Sequence, residues 1–67
     1  MESREIIAET PEEEKVLKEL ASEARHIDEL TRLTMLPISA LNATLSIMTM
    51  KGKIREVGAG QYIKARS

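Results

Sequence analysis

The step from Lys51 to Gly52 constrains this chain more than any other feature, because a helical pattern ends there and strand spacing begins at once. Ile38, Leu41, Leu45 and Met48 recur at i, i+3, i+7 and i+10, with Ala40, Thr44 and Ile47 flanking. One side of a helix over this stretch therefore faces a core. Pro37 opens that helix at its first position, where no amide hydrogen is needed, and Gly52 stops it by accepting a left-handed backbone. Lys53 to Val57 and Gln61 to Lys64 then read as two strands joined by the loop Gly58-Ala59-Gly60. Ile54, Tyr62 and Ile63 are the packing residues of this ribbon. Ile54 and Val57 lie an odd number apart, so both face inward only if a bulge intervenes.

Two further helices precede this unit. Thr10 is an N-cap, Pro11 takes the first helical position, and Glu13 stands where it completes a capping box. Val16, Leu17, Leu20, Ala21 and Ala24 follow on one face, with Glu14 and Lys18 as an i,i+4 pair opposite. His26 and Ile27 form a brief extended stretch. Asp28 caps a short second helix that buries Leu30 and Leu33 and ends near Thr34, and Met35 and Leu36 make the turn into the third. Residues 1–9 carry no sustained period and are expected to be a flexible leader or linker remnant, although Ile6 and Ile7 can dock on the core. The folded domain is expected over 10–66.

Three helices followed by a two-stranded ribbon make an α+β winged helix-turn-helix. Sixty-seven residues provide one modest core, and the 42% apolar and 31% charged shares suit a globular chain. There is no cysteine for disulfides or thiolate metal sites. The sequence has neither an apolar run of about 20 residues, as a membrane span requires, nor a signal-peptide pattern, so a cytoplasmic address without membrane contact is expected. His26 is the sole histidine and has no second ligand at metal spacing, so it reads as structural, and no cofactor is expected. With no phosphate loop, nucleophile elbow or oriented base, the chain is expected to bind rather than catalyse.

The net charge of -1 conceals a division. Residues 1–30 hold ten acids against four bases, and residues 31–67 hold six bases against Glu56 alone. The C-terminal half thus faces an anion, or the two halves simply attract each other. Lys51, Lys53, Arg55, Lys64 and Arg66 gather near the ribbon and are candidate phosphate contacts, the alternative being a solvated basic edge that keeps the strands from pairing with other chains. On the third helix, Ser39 and Asn42 have base-reading chemistry, yet no Lys or Arg lies between Leu33 and Met50 to anchor phosphates beside them. The face comprising Asn42, Ala43, Ser46 and Thr49 suits packing on another protein, including a second copy of the chain. Glu12, Glu13 and Glu14 are expected to fan out into solvent on the first helical turn.

The string His26-Ile27-Asp28-Glu29-Leu30, then Leu36-Pro37, then Leu45 and Met48 leading to Lys51-Gly52-Lys53-Ile54, and finally Gly58-Ala59-Gly60-Gln61-Tyr62, carries a family likeness. It resembles the C-terminal winged-helix domain of DNA-processing protein A, also called Smf, over roughly residues 12–64. In that family a Rossmann-like domain binds single-stranded DNA and the protein helps load the RecA recombinase during natural transformation. The resemblance implies an accessory module, with DNA, RecA or an upstream Rossmann-like domain as partners. Met35 stands where the family often has a turn glycine, which strains the turn if a left-handed residue is required there. Thr49 stands where an acid is common. The expected function is weak DNA contact through the wing without strong sequence preference. The alternatives are a protein-interaction or dimerisation module using the third helix and, less well supplied with bases, a free-standing transcription regulator.

Overall fold

The computed structural model describes residues 6–65. Its elements are α1 (Pro11–Glu19), β1 (Arg25–His26), α2 (Ile27–Thr34), α3 (Ile38–Met50), β2 (Ile54–Gly58) and β3 (Gln61–Lys64). The axes of α2 and α3 turn through 116°, the sharp bend of a helix-turn-helix. The strands form an antiparallel sheet in the order β1-β3-β2. The expected two-stranded ribbon, β2-β3, is present, and β1 joins it as a third strand. Arg25 and His26 pair with Tyr62 and Gln61, which gives the far edge of β3 a partner and ties the wing to the start of α2.

Every element except β1 and β3 puts at least one buried apolar side chain, or a capping one, into a single core. Val16 and Leu20 come from α1 and its C-cap, Leu30 from α2, Leu41, Leu45 and Met48 from α3, and Ile54 from β2. Leu17, Ile27, Leu36 and Tyr62 pack around them. The third-helix pattern holds at Leu41, Leu45 and Met48, but Ile38, in the first turn, is exposed. Pro37 is the N-cap of α3 and not its first helical residue, so the helix begins at Ile38, one residue later than expected.

The other departures are local. Helix α1 closes at Leu20, whose amide donates to the Val16 and Leu17 carbonyls (3.0 and 3.2 Å), so Ala21 and Ala24 lie outside it and are exposed. Thr10 Oγ1 accepts from the Glu13 amide (3.1 Å) as a cap should. The Glu13 carboxylate accepts instead from the Glu9 amide (3.0 Å), one residue ahead of the cap. Helix α2 is capped by His26, not Asp28. His26 Nδ1 accepts from the Asp28 amide and Glu29 Oε1 accepts from the His26 amide, both at 3.1 Å. This earlier start brings Ile27 onto the core face with Leu30 and Thr34, and Leu33 is turned outward. Thr34 buries its hydroxyl by donating to the Leu30 carbonyl (2.6 Å). Ile7 is exposed and only Ile6 is half-buried.

The anticipated bulge is present, with the opposite result for its residue. Glu56 pairs with Tyr62 and Gly58 with Gln61, leaving Val57 as the extra residue, and it points into solvent. Gly58 belongs to β2, so the turn is Ala59-Gly60, with Gly60 at φ 73°.

Candidate interaction surfaces

Gly52 (φ 78°) reverses the chain at the end of α3, and the Lys53 amide donates to the Met48 carbonyl (2.8 Å). This turn sets Lys51 and Lys53 side by side at the base of the wing. Both face the segment that enters α1. Lys51 Nζ pairs with Glu9 Oε1, and Lys53 Nζ lies 2.7 Å from Glu13 Oε1 and 3.5 Å from Glu9 Oε2. Glu13 is 3% exposed, so it does not fan into solvent with its neighbours. Its burial without compensation would be costly, and the Lys53 ammonium and the Glu9 amide supply that compensation. The hydrogen bond from Lys53 holds the Glu13 carboxyl below the ordinary glutamate range in spite of burial. Glu9 is lowered too, first by its hydrogen bond with Lys51, and Lys53 is raised by its hydrogen bond to Glu13.

The five expected wing cations are therefore not one cluster. Lys51 and Lys53 are engaged by the acids of the N-terminal half. Arg55 and Lys64 are exposed, and among the described residues neither has an ion-pair partner. Lys64 pairs across the ladder with Ile54, and Arg55 with Ile63, so the two cations occupy opposite faces of the ribbon. Arg66 lies outside the described residues.

Helix α3 exposes two distinct flanks. Ser39, Asn42, Ser46 and Thr49 form a polar one, on which the Thr49 hydroxyl is already committed to the Leu45 carbonyl (2.7 Å). Ala43, Ile47 and Met50 form an apolar one at i, i+4 and i+7, with Ile47 46% and Met50 84% exposed. No charged side chain occurs anywhere on the helix.

Two groups escape the simple charge count. Glu13 carried a signal, because it stands at i−3 from Val16 and i−4 from Leu17, on the face of α1 that is buried. Lys15 and Lys18 line a shallow groove with Glu19, Leu33, Thr34 and Met35, a neighbourhood that only the packing of α1 against the helix-turn-helix creates. Among the described residues no three His, Asp or Glu side chains gather as metal ligands, and no single helix is long and apolar enough to cross a membrane.

With three helices, the sharp α2–α3 turn and a tethered wing in place, comparison with protein families matches residues 2–60 to the DprA winged helix domain. The chain belongs to that family. As a DprA winged helix domain it is a module related to DNA processing, built on the α+β winged-helix fold. Comparisons with curated proteins and with solved structures return no match.

Proposed function

We propose that this DprA winged helix domain is a docking module of a DNA-processing protein and that α3 is its protein-contact face. The observation that carries this reading is a 13-residue helix with no charged side chain that leaves Ile47 and Met50 uncovered. Covering such a face removes apolar surface from water and desolvates no ion, whereas a DNA-reading helix needs phosphate anchors beside its base contacts. A second copy of the chain is the first partner to test. The concentrated chain should sediment faster than a monomer, and Ala43→Arg should restore monomer sedimentation with an unchanged helical spectrum. A wild type that stays monomeric at every concentration, or an Ala43→Arg variant that sediments like wild type, counts against self-association.

A second reading, weak phosphate contact through the wing, is favoured by the exposed positions of Arg55 and Lys64. Two cations engaging two duplex phosphates give a salt slope of about −1.8, so affinity should drop roughly tenfold between 50 and 200 mM salt. Undetectable binding at low salt would remove this reading.

A further inference from the structure

We infer that Lys51 and Lys53 form a phosphate-binding site whose resident competitor is the chain's own Glu9, so that nucleic-acid phosphate enters by displacing the Glu9 side chain. The inference rests on the reading of the wing as a phosphate contact and names the regulation of that contact. Three observations meet at the site. Glu9 spans both ammonium groups, with Oε1 on Lys51 and Oε2 3.5 Å from Lys53. A carboxylate and a phosphodiester each spread one negative charge over two equivalent oxygens, so either can bridge the same two ammonium groups. The two acids also differ in how they are held. Glu13 has a side chain only 5% exposed, is fixed on Lys53, and takes the Glu9 amide as a further donor. The side chains of Glu9 and Lys51 are about half exposed, at 54% and 46%. Ion pairs in that setting are weak and screened by salt, hence readily exchanged for another anion.

The structural ion pair and the exchangeable one therefore share Lys53. Displacing Glu9 frees Lys51 fully and leaves Lys53 anchored to Glu13, so the wing gains one effective cation without loss of fold. Glu9 lies in the segment that leads into α1, two residues ahead of Pro11.

The test compares the wild-type chain, Glu9→Gln and Glu14→Gln in a salt titration on a 20-base-pair duplex, with helical content checked for each. Glu14→Gln removes the same charge from a position with no ion pair to either lysine among the described residues. Glu9→Gln should bind about 2- to 5-fold more tightly at low salt, and its salt slope should steepen by about 0.9, one added phosphate. Glu14→Gln should keep the wild-type slope. Equal slopes for all three proteins, with binding present, overturn the competitor and leave wing contact standing. No binding by any of them removes wing contact and the competitor together.

Discussion

Met35 shows how a single residue records the geometry of the helix-turn-helix. Its backbone lies at φ 60°, ψ 21°, the left-handed conformation that closes α2, with its amide donating to the Thr31 carbonyl (3.1 Å). A side chain in this conformation costs about 1–2 kcal/mol relative to the right-handed one, and Met35 recovers little by packing because it is 84% exposed. The resemblance to a family with glycine at this turn anticipates the strain, and the backbone shows it. Met35→Gly should therefore stabilise the domain by about 0.5–1 kcal/mol, the relief being partly offset by the greater freedom of glycine in the unfolded chain. Urea unfolding with an unchanged m-value would measure it; an equal or lower midpoint would show that any strain relieved is no larger than the unfolded-chain cost of glycine. Gly60 is the converse case. At φ 73° a Cβ would stand 2.9 Å from His26 Nε2, in a conformation already unfavourable to side chains.

At the scale of elements, β1 is where sequence and structure diverge most usefully. Two residues carry no periodicity of their own, so the extended stretch is legible only as His26-Ile27, one residue late, and its pairing not at all: the strand is Arg25-His26, and Ile27 opens α2. The pairing arises from Gly60, whose carbonyl accepts the Ile27 amide (2.8 Å) and brings the wing turn against the start of α2. His26 then serves both elements, as a strand residue and as the cap of α2. The helices were more legible, because Val16, Leu30, Leu41, Leu45 and Met48 repeat at helical spacing and all are buried. Their ends were less so, since Ala21, Ala24, Leu33 and Ile38 satisfy the same spacing but lie beyond the neighbours that would cover them. The dual role of His26 gives a specific expectation. His26→Ala should cost about 1 kcal/mol, and His26→Asn, which keeps a capping acceptor, should recover most of it. Thermal unfolding of the pair would decide it, and equal losses would mean that the strand pairing, not the cap, is what His26 supplies.

Across the whole molecule, the acidic first half and basic second half meet at one place, where Glu9 and Glu13 face Lys51 and Lys53 across 40 or so residues of chain. Mutual attraction of the two halves is thus realised at these two lysines in the free chain, while Arg55 and Lys64 have no ion-pair partner among the described residues. The meeting point makes stability depend on pH in a definite direction. In the folded protein the Glu9 and Glu13 carboxyls are lowered by their lysine partners, so they bind protons less readily than in the unfolded chain. In the acid range the unfolded state takes up more protons, and stability must rise with pH there. The contribution is complete above the ordinary glutamate range and is lost as pH falls through the lowered values of the folded state. The raised Lys53 gives the opposite slope at the other extreme, its contribution disappearing as pH climbs through a value above the ordinary 10.5. Glu13→Gln keeps an oxygen acceptor for Lys53 and the packing of the side chain while removing its titration. Its melting temperature should be lower than wild type at pH 7, and the gap should narrow steadily from pH 5 to pH 3 as the wild-type carboxyl is protonated. A gap that stayed constant over that range would mean that the buried glutamate acts through shape and hydrogen bonding alone, and that the two halves are not held by charge.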